Sequence, residues 1–412
     1  MTYQEVTATA RSTAGWSVVA LGLAIPISTA ADSVLLGVLL IAWLTALPAS
    51  IGEARSSVLG TPPVTVAILL FALLAAGCFY GEASAKGAMS GLSKYLDLAF
   101  IPILLWAAAD PVMRKRALVC FAIAVVLNLY VSYSAAAGLP GLRSIHYPIG
   151  FKASVTHSLL VSLGAFLFLL IAREIRDRRW RIVLVALAIV CAHNVLFIVI
   201  GRTGYVVLAA LLAYFVVVTL RGWRGPLAAI VACAALLSTA YYAAPNFKER
   251  VDEIGSDLAR WTPEAADGTS VGQRIGYYRT TMQIIAEHPL TGVGTGGFTR
   301  AYAEKVKGSG APATTNPHND YLLMGAQVGI PGVALLLALY VTLWVSARNL
   351  GSPLNRDLAR GLVLTLAIGG LFNSVLLDHT EGLLFAWLTA LVCATYVTPG
   401  QRTTGPPATA PG

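Results

Sequence analysis

The chain has 412 residues, enough for two or three soluble domains, but 57% of them are hydrophobic, only 12% are charged, and the mean hydropathy is +0.71. Apolar runs of about twenty residues recur along most of it, the length a helix needs to cross a ~30 Å hydrocarbon core, which excludes a soluble protein. The net charge of +9 comes without any basic, aromatic-interleaved surface, so nucleic acid is excluded as a partner.

In chain order, the apolar windows predict about twelve helices. They lie near 14–30, 33–50, 63–80, 95–110, 116–135, 154–172, 181–200, 203–220, 226–243, 321–346, 359–376 and 382–397. The first has no small-residue cleavage site of the signal-peptide kind and is read as a span. All five cysteines fall inside apolar runs with no CxxC spacing, as small buried hydrophobes do. No internal repeat is visible, unlike inverted-repeat transporters. The predicted fold class is therefore all-α, a polytopic integral membrane protein with one large, partly helical loop. Its parts are spans 1–9 over 1–243, a loop domain at 244–320, spans 10–12 over 321–397, and a disordered tail at 398–412.

Lys and Arg set the orientation. With the N-terminus cytoplasmic, the inside connections carry 16 of the 29 basic residues, including RKR (114–116) and REIRDRRWR (173–181). The short outside connections hold five: Lys86, Lys94, Arg143, Lys152 and Arg202. The other eight lie in the long segment, which the positive-inside rule does not govern. Both termini are thus expected inside and the long loop outside.

Within that loop, FKERVDEIGSDLARW (247–261) reads as an amphipathic helix, and WTPEAADGTS as a turn-rich linker. VGQRIGYYRTTMQIIAEHP (271–289) places Ile275, Tyr278, Met282 and Ile285 at helical spacing, and Pro289 ends that helix. The glycines 292, 294, 296 and 297 superficially suggest a dinucleotide fingerprint. A helix and a proline precede them where a strand is required, so they are read as a tight turn or a close backbone approach.

Four groups carry possible chemistry. His318, in NPHND at the end of the loop, suits proton abstraction from a sugar hydroxyl. It equally suits a helix start, with Asn319 or Asp320 as the cap. Arg202, in VLFIVIGRTGYVVL, lies between two spans with almost no loop, where a charge faces a cavity or a partner. Arg274 and Arg279 offer forks for phosphate oxygens or are simply solvated. Lys94 has the same two readings. His157, His193, Asn194 and Asn373 read as helix–helix hydrogen-bonding groups. Asp378, His379 and Glu381 form a short outer turn.

GQRIGYYRTTMQIIAEHPLTGVGTGGF followed by NPHNDYLLMGAQVGIPG resembles the O-antigen ligase/polymerase (Wzy_C) superfamily over about 190–345. The resemblance implies a GT-C-like layout and transfer of a glycan from an undecaprenyl-diphosphate carrier, on the periplasmic face of the bacterial inner membrane. For an O-antigen ligase the acceptor is a lipid A-core sugar. It implies His318 as general base and Arg202 and Arg274 as stabilisers of the diphosphate. Lys94, Arg279, Asn319 and Asp320 are placed in substrate binding. Family members usually carry a tryptophan about one turn after the helix arginine, and this chain has Tyr277 and Tyr278 there.

The chemistry is self-consistent. Fixed arginines can stabilise charge that develops on a leaving diphosphate, and nearby positive charge keeps an imidazole neutral. The expectation is an inverting glycosyltransferase with no metal and no cofactor, whose partners are the lipid-linked donor, the lipid A-core acceptor and membrane lipids. The alternatives are an O-antigen polymerase, a protein O-oligosaccharyltransferase and, from another class, a lipid-linked glycan transporter.

Overall fold

The computed structural model describes residues 2–47, 49–139, 150–220, 222–260, 269–308 and 311–396. The tail at 398–412, Arg143 and most of the linker after Arg260 fall outside them. Seventeen α-helices are present among the described residues. The first eight are α1 (Tyr3–Ala24), α2 (Thr29–Thr45), α3 (Ala49–Gly60), α4 (Pro62–Gly77), α5 (Ala85–Ser93), α6 (Leu96–Ala107), α7 (Pro111–Ala136) and α8 (Ser154–Glu174). Then come α9 (Arg178–His193), α10 (Arg202–Thr219), α11 (Arg224–Ala243), α12 (Pro245–Arg260), α13 (Ser270–Glu287), α14 (Phe298–Val306), α15 (Asp320–Ser346), α16 (Pro353–Phe372) and α17 (His379–Cys393).

Each of the twelve expected windows falls on a helix, so element positions were legible. Crossing a membrane is a stricter requirement. Six of the described helices are long and apolar enough to cross, or up to eight if each of two bent pairs, α2 with α3 and α5 with α6, is one span. α4 and α17 are apolar but shorter. Large apolar side chains such as Ile41, Trp180, Ile182, Ile230 and Val341 are exposed, as on helices solvated by lipid rather than water.

Two helices form the centre. α8 packs between α9, α10 and α16, and α17 packs on α6 and α16. Both are apolar around nearly their whole circumference, as a core helix is. Trp387 of α17 is fully buried, donates from Nε1 to the Val18 carbonyl at 2.9 Å and lies 5.9 Å from the Phe121 ring. At one end of α8, Arg173 and Arg356 hold the buried carboxylate of Asp357 at 2.6 and 2.9 Å. The opposite end carries the candidate site.

The expected helix–helix polar contacts are present. His157 Nε2 pairs with Asn194 Oδ1 at 3.0 Å, and Asn194 donates to Ser132 Oγ at 2.8 Å, joining α7, α8 and a π-helical turn at Asn194–Ile198. Tyr133 and His193 pair at 2.7 Å.

The long loop is helical through α12, α13 and α14. The sequence spacing puts Met282 on the apolar face of α13, and the structure corrects this. Met282 is 54% exposed, whereas Thr281 and Ile284 are buried beside Tyr277. The glycine-rich segment after α13 docks into the bundle. Val293 N–H donates to the Ala326 carbonyl at 2.8 Å, Ile330 N–H to the Pro289 carbonyl at 2.8 Å, and Thr295 N–H to the Gly77 carbonyl at 3.1 Å. α15 breaks where this segment meets it, at Val328 and Gly329. The loop thus supplies partners for backbone groups that the break would leave unmatched.

Candidate active site

His318 is the last residue but one before α15. Its φ is +56°, and no other non-glycine residue among those described has a positive φ. A left-handed backbone costs an L-residue about 1–2 kcal/mol and persists only where neighbours enforce it. Here Asn316 Oδ1 accepts from the His318 N–H at 2.8 Å and from Ser374 Oγ at 2.7 Å. The Tyr278 hydroxyl lies 3.3 Å from the His318 carbonyl and 3.0 Å from that of Leu371. The backbone is therefore pinned from α13, from the end of α16 and from the turn before α17.

Asn319 and Asp320 complete this scaffold. Asn319 caps α15, accepting from Leu322 N–H at 3.0 Å, while its amide donates to the Leu371 carbonyl at 3.0 Å. Asp320 is fully buried and receives the Leu376 N–H at 3.3 Å. Both side chains hold protein backbone, and neither lines the cavity described next.

His318 and Lys94 line one cavity of about 640 Å³, together with Asn316, Gln327, Leu377 and Asp378. Lys94 is exposed at the end of α5. Burial lowers the His318 pKa from its ordinary value, the Arg274 guanidinium lowers it further, and the Asn373 side chain and Asp378 partly oppose this. The imidazole is consequently neutral near pH 7 and able to take a proton.

Arg274 is half-buried on α13 and makes no ion pair among the described residues. Burial, then the charge of Arg202, lowers its pKa while Tyr278 raises it. Arg202 opens α10 and is engaged by Glu253 of α12 at 2.7 Å, which Arg250 also grips at 2.7 Å. Arg279 is exposed. It lies five positions beyond Arg274, about 140° around the axis at 3.6 residues per turn, so the two do not converge.

Asn373 makes the helix–helix bond read from the sequence, and sequence reasoning missed only its reach to His318. It ends α16, donates to Thr203 Oγ1 at 3.3 Å and reaches the imidazole, linking the residue after Arg202 to His318. Its signal was the polar break FNS between two apolar runs. Glu253 was missed as well, because an acid on an amphipathic helix looks solvated. Tyr277 and Tyr278 proved to belong to the site, the Tyr277 ring centre lying 6.2 Å from that of His318.

The fold and site define a multi-pass helical membrane protein with a basic cluster around a neutral imidazole. Residues 187–337, from α9 into α15, match the family described as O-Antigen ligase (Wzy_C), consistent with the O-antigen ligase/polymerase superfamily. An uncharacterized protein of Haemophilus influenzae (strain ATCC 51907 / DSM 11121 / KW20 / Rd) is 22% identical over 317 residues, 72% of this chain and 76% of that protein. A chain in a solved structure titled "Structural coordination of polymerization and crosslinking by a peptidoglycan synthase complex" aligns at 19% identity and a TM-score of 0.48, covering 81% of this chain and 95% of that one. The family match supports an O-antigen ligase/polymerase-like membrane enzyme.

Proposed function

We propose that the chain is an O-antigen ligase. It transfers glycan from undecaprenyl diphosphate to a lipid A-core sugar on the periplasmic face of the inner membrane. The observation that carries this reading is a neutral, half-buried imidazole in a cavity beside Arg274, a guanidinium without an acidic partner among the described residues. In the proposed step an acceptor hydroxyl attacks the anomeric carbon of the donor. The new oxygen–carbon bond forms as the bond from that carbon to the diphosphate oxygen breaks. The hydroxyl proton passes to His318, and the electron pair leaves on the diphosphate.

Charge grows on the leaving phosphate as the bond breaks, so donors fixed beforehand act mainly on the transition state. Arg274 and Arg202 fill that role, and Lys94 lines the same cavity as His318. A single displacement inverts the anomeric centre. The arginines supply the positive charge that a divalent ion supplies elsewhere, and the diphosphate carrier is already activated. Reconstitution with separate acceptors tests the assignment. Transfer to lipid A-core without growth of carrier-linked polymer is the expected result, and polymer growth alone would make the protein a polymerase instead.

A further inference from the structure

Asp378 lines a second cavity as well as the first. This one measures about 480 Å³, within the range of small-ligand pockets. Around it stand Ser28 and Thr29 at the start of α2, Phe151 and Lys152 ahead of α8, and Thr380 and Glu381 in the first turn of α17. None of these has a role in the transfer step above.

The polar groups here are incompletely matched. Glu381 is 2% exposed, yet its Oε2 has no hydrogen-bond partner among the described residues, and neither has Nε2 of His379 in the same cavity wall. A buried carboxyl oxygen left without a partner is costly. Lys152 is 6% exposed and donates to Thr380 Oγ1 at 3.1 Å. An ammonium has three N–H groups, so donors are left for a ligand.

The ligand that completes this lining must both donate and accept hydrogen bonds and must offer an apolar face to Phe151. A sugar ring does all three. A purely anionic group is disfavoured by Asp378. That separates this cavity from the first, which Lys94 lines with His318 and whose imidazole feels the Arg274 charge. Donor phosphates belong with the arginines, so the second cavity falls to the acceptor.

We propose that this cavity binds a neutral pyranose residue of the acceptor glycan, through Glu381, Lys152 and Thr380, and so presents the acceptor hydroxyl past Asp378 to His318. The proposal rests on reading the His318 cavity as the transfer centre, and its test has a readout that does not depend on transfer.

The probe is a set of neutral methyl glycosides of glucose, galactose and N-acetylglucosamine, added to the full chain in nanodiscs. Saturation-transfer NMR should show ring-proton signals in the unaltered protein and also in His318→Ala. The signals should disappear in Lys152→Met and in Thr29→Trp. Thr29 is exposed at the cavity mouth, so its replacement fills space without touching the core. If Lys152→Met does not fold, Thr29→Trp decides alone. In the same samples, phosphorus-31 broadening of inorganic pyrophosphate should persist in Thr29→Trp, and its absence from the unaltered protein would tell against the diphosphate reading rather than this one.

In transfer assays, Thr29→Trp should raise the acceptor KM about tenfold or more, because it fills the acceptor cavity, with the donor KM unchanged. No glycoside signal in the unaltered protein would overturn the proposal. So would signals that survive both substitutions, or a shift confined to the donor KM.

Discussion

Arg202 and Glu253 meet at 2.7 Å across the junction between a membrane helix and the first helix of the long loop. The same carboxylate also holds Arg250, and the two arginines, Arg250 first, keep the Glu253 carboxyl below the usual range. Glu253 therefore competes with any phosphate for the Arg202 fork. Glu253→Gln should lower the concentration of inorganic pyrophosphate that half-inhibits transfer by about two- to fivefold, the scale of a part-exposed ion pair. Weaker inhibition would mean that Glu253 orients Arg202 rather than competing for it.

The acid limb of the rate profile follows from His318. A base must be unprotonated to act, and burial with Arg274 lowers this imidazole from its ordinary value of 6.5. Activity should hold as the pH falls through 6.5 and be lost only below it. Arg274→Gln removes a positive neighbour, so the limb of its residual kcat/KM profile should move up toward 6.5. An unmoved limb would mean that the titrating group is not His318.

Asn319 holds backbone, so its loss should register in stability before binding. Asn319→Ala removes a helix cap, typically worth about 1 kcal/mol, and should lower Tm together with kcat. Asn319→Ser keeps a capping oxygen but not the bond to Leu371 and should recover part of the loss. A change confined to substrate KM with Tm unaltered would instead place Asn319 on the substrate.

The glycine-rich segment should not tolerate side chains where it docks. Gly294 has φ +82°, and a Cβ there would come within 2.2 Å of the Gly81 Cα. Gly294→Ala should cost at least the ~1–2 kcal/mol of a left-handed backbone, with further loss from displaced contacts, and should depress both Tm and activity. Gly255→Ala on α12, where a Cβ meets nothing within 4 Å, should be neutral or stabilising by about 0.5–1 kcal/mol.

Helix positions were legible because a lipid-crossing segment must be apolar along its whole length, and such runs cannot be mistaken for loops. The count of spans was less legible. α17 is apolar because it is buried in protein, and that composition looks the same as burial in lipid. In α13, spacing alone pointed to Met282, while packing chose Thr281 and Ile284, because the docked glycine segment and α14 decide which face is covered. Around His318 the polar residues of NPHND were visible, but their roles needed geometry. Asn316 and Asn319 fix the backbone, and Asn373 arrives from 55 residues further along the chain. No local pattern carries such a contact.

The most direct test of the account is turnover by His318→Ala set beside its affinity for the diphosphate donor. Donor binding should be unchanged, because the arginines remain, while transfer falls by about 10²–10⁴, the contribution of a positioned base. Near-normal turnover in a variant that binds donor normally would contradict the role assigned to His318.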